Sequence, residues 1–121
     1  MNIYESAQDY LEKILMLEKT GKPVRSIDIS RAMNVTRPSV YRIIKNLSND
    51  NYIIVENLKI RLTEKGREIA EKMYERHITI ANFLISLGVS EETAFHDSCK
   101  IEHDLSDESY SAIKALINKN S

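Results

Sequence analysis

Apolar residues recur at helical spacing from the start of the chain. Ala7, Leu11, Ile14 and Leu15 share one side at 100° per residue with Glu18 in line, which predicts a helix from Ser6 to about Glu18. Asp9, Glu12 and Met16 fall roughly opposite, so these carboxylates point away from the packing face and beyond the helix's own domain. Thr20-Gly21-Lys22-Pro23 breaks the periodicity with turn-forming residues. Ser26 is the expected N-cap of a short helix through Met33, and Asn34-Val35 forms the turn. Thr36 then caps a second helix with Pro38 in its first turn, running to about Asn49. Val40, Ile43, Ile44 and Leu47 take its inner side, leaving Arg37, Ser39, Tyr41, Arg42 and Lys45 outside.

The periodicity next shortens to that of strands. Tyr52–Val55 and Lys59–Leu62, with Glu56-Asn57-Leu58 between them, predict a β-hairpin. Thr63 caps a long helix from Glu64 to about Leu87, with Ile69, Met73, Ile80, Phe83, Leu84 and Leu87 on a broad apolar side and Gly88 at its end. Ser90 and Ser106 cap two further helices, Glu91 to about His103 and Asp107 to about Asn118. The fold class is therefore mainly α. A winged helix-turn-helix with a two-stranded wing is expected over residues 1–63, and a helical domain over 64–121. Three helices enclose too small an interior to stand alone easily, so a homodimer through the second domain is expected.

Composition changes this picture little: 42% hydrophobic and 29% charged is ordinary for a globular chain of 121 residues. Apolar runs stop well short of the roughly 20 residues a membrane helix needs. The opening Met1-Asn2-Ile3-Tyr4-Glu5 lacks the basic start and apolar stretch of a secretory leader, so a cytoplasmic location and no membrane partner are expected. A single cysteine, Cys99, fits a reducing compartment.

Charge changes it more. The net of −1 conceals a basic middle, because residues 19–67 carry eleven Lys/Arg against four Asp/Glu, a net of +7, between acidic ends. A polyanion-binding module joined to a cation-binding one follows. Double-stranded DNA is the expected polyanion, read by the second helix of the helix-turn-helix in the major groove. Arg37 and Arg42 have the bidentate fork for guanine or phosphate, Ser39 and Tyr41 reach base edges or backbone, and Pro38 offers apolar contact to a thymine methyl. Lys45, Lys59 and Arg61 are expected phosphate contacts, and Ser26 and Thr36 open helices whose N-terminal amides receive phosphate. A dimer of such modules reads a palindromic operator.

The acidic ends hold the candidate metal ligands. Asp9 and Glu12 stand at i, i+3; Cys99, Glu102 and His103 stand at i, i+3 and i+4; His77 adds an imidazole. Hard carboxylate, borderline imidazole and soft thiol suit a divalent transition metal. An ion taken by all six ties the first helix to the later ones and makes the arrangement metal-dependent. His96, one turn before Cys99, is expected to stand outside this set.

Taken together, Asp9-Tyr10-Leu11-Glu12, Arg37-Pro38-Ser39-Val40, Leu62-Thr63-Glu64-Lys65-Gly66, Arg76-His77 and Glu102-His103 followed by Leu105-Ser106 resemble the metal-dependent repressors of the diphtheria toxin repressor and manganese transport regulator family. The resemblance covers essentially the whole chain. It implies an N-terminal winged helix, a helical dimerisation domain and repression of metal-uptake genes when Mn(II) or Fe(II) is plentiful, with other divalent transition metals binding in vitro. It also implies that Asp9, Glu12, His77, Glu102 and His103 stand where the manganese branch keeps its ligands. Cys99 departs: the manganese branch has glutamate there, and the iron branch has cysteine but methionine in place of Asp9. The iron branch's ancillary glutamate is replaced by Ala81, and the resemblance implies a short, two-domain form without that branch's additional SH3-like domain. Two other classes remain at this point, a winged-helix regulator using Cys99 as a redox switch and a metallohydrolase with a metal-activated water. The expectation is a regulator without enzymatic activity.

Overall fold

The computed structural model describes residues 5–119, so the Met1–Tyr4 part of the opening segment lies outside the described residues. Among the described residues are six helices and one two-stranded sheet: α1 (Glu5–Glu18), α2 (Ser26–Met33), α3 (Arg37–Asn49), β1 (Ile53–Glu56), β2 (Lys59–Leu62), α4 (Glu64–Ser86), α5 (Glu91–Ile101) and α6 (Asp107–Lys119). This is the mainly helical, winged architecture the periodicity predicts. The chain divides into two compact units, with the division between Lys72 and Met73, inside α4.

In the first unit, α1 packs on α2 and β2, α2 on α3, and α3 on β1. Leu11, Ile14, Ile29, Val40, Ile53 and Ile60 form its buried centre. Glu18 is the polar member of α1's packing side, and its carboxylate accepts from the Leu62 N–H at 3.2 Å and from Arg67 at 2.7 Å. The acid thus fastens the end of α1 to the wing base, where a hydrophobic residue would leave both donors unmet.

The wing is tighter than its composition suggests. Ile53 pairs with Leu62 and Glu56 with Lys59, leaving a two-residue turn, Asn57-Leu58, in place of the expected three. Both residues have positive φ, 50° and 65°, matching the right-handed twist of the strands they join. Ile60 also donates to the Val24 carbonyl at 2.8 Å, which covers part of β2's outer edge.

Helix ends differ from expectation in two places. Arg25, not Ser26, is the N-cap of α2, and the Asp28 carboxylate accepts from the Arg25 N–H at 2.9 Å. The acid at the third helical position thus reaches back to the cap's own amide, half of a capping box, and Ser26 becomes the first helical residue. The fifth helix ends at Ile101, before Glu102 and His103. Thr36, Ser90 and Ser106 cap as expected, each side-chain oxygen accepting from an amide three residues on.

Gly66 explains one element of the Leu62–Gly66 motif. The Tyr52 carbonyl accepts from Thr63 N at 3.1 Å and lies so near Gly66 that a Cβ there would overlap its oxygen. Backbone on both sides leaves no flexible group to yield. Gly66→Ala is expected to lower unfolding free energy by about 1–3 kcal/mol, measured by urea denaturation; an unchanged midpoint would mean that the Tyr52 turn shifts freely.

Candidate metal centre and nucleic-acid interface

The second unit brings four of the six candidate ligands together. His77 lies in α4, Cys99 in the last turn of α5, and Glu102 and His103 in the turn that follows. The Cys99 Sγ is 3.5 Å from His77 Nε2. Glu102 Oε2 is 3.7 Å from His77 Nδ1, and its other oxygen is 3.4 Å from His103 Nε2. Phe95 closes one side, its ring centroid 5.7 Å from that of His77. Asp9 and Glu12 belong to the first unit, where Asp9 is half-buried and Glu12 is buried.

Burial gives this arrangement its chemistry. Glu102 is 1% exposed and His77 9%, while Cys99 reaches solvent. A carboxylate withdrawn from water is costly unless positive charge or a metal meets it. Two imidazoles face its two oxygens, and a thiol stands beside one of them. Nitrogen, oxygen and sulfur donors around a buried acid form a set that fits a divalent transition ion. The exposed His96 pairs with Asp97 at 3.6 Å, apart from this group.

The helical spacing of Cys99, Glu102 and His103 carries through only in part, because α5 stops between them. A buried cation stands at the stop. Arg76 is 5% exposed and donates to the Glu102 carbonyl at 3.0 Å, taking up an oxygen that continued helix would use. Arg76 appeared in the sequence only as the neighbour of His77. No feature of the linear pattern distinguishes it from solvated arginines, since its acceptors lie 26 to 31 residues away.

The first unit carries a cationic surface on α3. Arg37, Pro38, Tyr41, Arg42 and Lys45 are exposed, Tyr41 by 66%. Arg37, Arg42, Lys45 and the wing's Lys59 are not taken up in ion pairs with other described residues, so their charge is available to a polyanion. Arg61 shares its charge with Glu56 at 3.2 Å. Thr36 and Ser39 are joined at 3.0 Å, so these hydroxyls order the start of α3 before any contact with a ligand. Ser26 is half-buried in the first turn of α2, where the Asp28 carboxylate disfavours phosphate.

Two family models match the chain. Residues 2–59 match the family described as iron dependent repressor, N-terminal DNA binding domain, and residues 63–121 match iron dependent repressor, metal binding and dimerisation domain. An uncharacterized HTH-type transcriptional regulator of Methanocaldococcus jannaschii is 36% identical over 118 residues, 95% of this chain and 94% of the relative. The HTH-type transcriptional regulator MntR of Geobacillus thermodenitrificans is 36% identical over 102 residues, 84% of this chain and 72% of the relative. Among solved structures, a manganese-dependent transcriptional repressor in complex with manganese superposes with a TM-score of 0.86 at 24% identity. That match covers 93% of this chain and 52% of the other, so the chain spans about half the length of that structure.

The candidate ligand set has a spectroscopic consequence. Anaerobic addition of Co(II) is expected to produce a near-ultraviolet sulfur-to-metal charge-transfer band that disappears in Cys99→Ser, because thiolate is the soft donor of the group. Absence of the band from a cobalt-loaded parent protein would remove Cys99 from the ligand set.

Proposed function

The chain belongs to the iron-dependent repressor family, the family of the diphtheria toxin repressor and the manganese transport regulators, and from that membership we propose that Mn(II) or Fe(II) controls its grip on DNA through the His77, Cys99, Glu102 and His103 group. The protein is a metal-dependent DNA-binding transcriptional repressor and not an enzyme. The observation that carries the metal-site assignment is the buried Glu102 carboxylate between two imidazoles with Cys99 alongside.

In this proposal Asp9 and Glu12 complete the ligand set from α1. When bound, the divalent ion supplies positive charge that offsets the mutual repulsion of Asp9, Glu12 and Glu102. The residues themselves do the rest. His77, Cys99, Glu102 and His103 hold the second unit's share of the site. Without a counter-charge the three carboxylates repel, and the population of the DNA-competent arrangement falls although no DNA-contacting residue has changed. Arg37, Tyr41 and Arg42 read the major groove, while Lys45, Lys59 and Arg61 take phosphates.

We assign DNA reading to residues 1–63 and metal binding with homodimerisation to 64–121, with a palindromic operator as the consequence of two-fold symmetry. No described helix is long and apolar enough to cross a membrane. A cytoplasmic location and control of metal-uptake genes complete the proposal. The presence of both Cys99 and Asp9 in one sequence draws on both branches of the family, and the cysteine sulfur shifts preference toward Fe(II) relative to an all-oxygen-and-nitrogen set. One observation favours a second reading: the exposed Cys99 thiol stands 3.5 Å from an imidazole, a setting for an oxidation-sensitive regulator.

Anisotropy titrations on a palindromic duplex selected from random DNA by the manganese-loaded protein test the proposal at stated salt. Affinity is expected to rise roughly 5- to 150-fold with Mn(II) or Fe(II) over chelator. Equal affinity in both conditions would overturn the metal switch, and loss of binding only after peroxide treatment would favour the redox reading.

A further inference from the structure

Arg76 stands next to His77 in α4 but takes no place in the ligand set. Its guanidinium is buried, and Nη1 donates to the carbonyl oxygens of Glu102 at 3.0 Å and Leu105 at 3.1 Å. Nη2 donates to Asp107 Oδ1 at 2.5 Å, and the group lies 4.7 Å from the centroid of the Tyr110 ring. One planar cation therefore holds the link between α5 and α6 at both ends. Glu102 and His103, two of the four ligands in this unit, belong to that link.

The carbonyls involved are of a particular kind. The last turn of a helix leaves carbonyls without intrahelical partners, and Glu102 is the C-cap of α5. Arg76 supplies the donor that such a group lacks. Successive residues on α4 diverge by about 100°, so Arg76 takes the backbone of the link while His77 faces its Glu102 side chain at 3.7 Å. The same turn of α4 grips the link twice. Asp107 is the exposed counter-charge, and Tyr110 gives the flat guanidinium a flat neighbour.

We propose that Arg76 is a positioning residue for the metal site: by fixing the backbone from Glu102 to Leu105 it sets the spacing of the Glu102 carboxylate and the His103 imidazole, and with it the affinity for the ion, without touching the ion. This rests on the metal-site reading above. An arginine fork is required, because a lysine ammonium keeps the charge but cannot meet three acceptors in one plane.

The test compares full-length wild type with Arg76→Lys by competition of Mn(II) against a colorimetric chelator, by the absorption spectrum of the Co(II)-loaded protein, and by hydrogen exchange without metal. Arg76→Lys is expected to bind Mn(II) roughly 10-fold more weakly, the lower end of what loss of a group supporting a ligand costs. Its Co(II) ligand-field bands should shift, and the Asp104 and Leu105 amides, both bonded to Ile101 O, should exchange faster with far-ultraviolet dichroism unchanged. Added to Glu102→Gln, the substitution should cost little more, as expected of residues acting through one unit. Wild-type affinity and an unshifted cobalt spectrum in Arg76→Lys would overturn the inference. A wild-type protein that binds neither ion would instead remove the metal-site reading, and this inference with it. Should Arg76→Lys lose its helical dichroism, Asp107→Asn carries the test: a several-fold loss of Mn(II) affinity is expected, and unchanged affinity overturns the inference.

Discussion

A carboxylate shut away from water has to be met by positive charge or by a metal, and the second unit is organised around that requirement at Glu102. Its two oxygens face the imidazoles of His77 and His103, and its own carbonyl is held by Arg76. The apolar interior here is modest, with Met73, Ile80, Ala81 and Ala94 as its buried hydrophobic members. Polar contacts therefore do much of the fixing, and they do it at the residues with ligand chemistry. Buried polar groups of this kind define one arrangement sharply when satisfied and destabilise it when one partner is lost.

The first unit uses a different balance. Leucine, isoleucine and valine fill its centre, and the half-buried Glu18 is satisfied by a backbone amide and an arginine. Cationic side chains are left outside on α3 and the wing, where solvation keeps them inexpensive until a polyanion displaces water and counterions. The molecule thus combines a scaffold under an available positive surface with buried carboxyl groups, Glu12 in the first unit and Glu102 in the second. A regulator responding to a cation requires both, because an equilibrium is shifted only by differential affinity for two states.

Cys99 lies where these themes meet the environment. It is exposed while its neighbour His77 is buried, so Cys99 is the member of the second unit's candidate group most open to solvent. A soft donor there changes which ions compete well, and an accessible thiol also makes the group sensitive to oxidants. In the proposed site, metal preference and oxidant sensitivity are linked through one side chain.

The linear order of residues was sufficient for local decisions. Apolar spacing located the helices, Thr36, Ser90 and Ser106 marked helix starts where their hydroxyls serve amides, and β-branched runs located the wing, because each depends on residues a few positions apart. Ligand-type residues and the basic stretch were legible for the same reason, as residue identity and charge need no coordinates. Tertiary structure decided the rest: that Glu102 is buried, that α5 ends beneath it, that Gly66 lies against the Tyr52 carbonyl, and that Arg76 holds the link from 26 to 31 residues away. These are through-space electrostatic and steric facts. No local periodicity encodes them, because the free energy of burying a charge is set by what surrounds it in space.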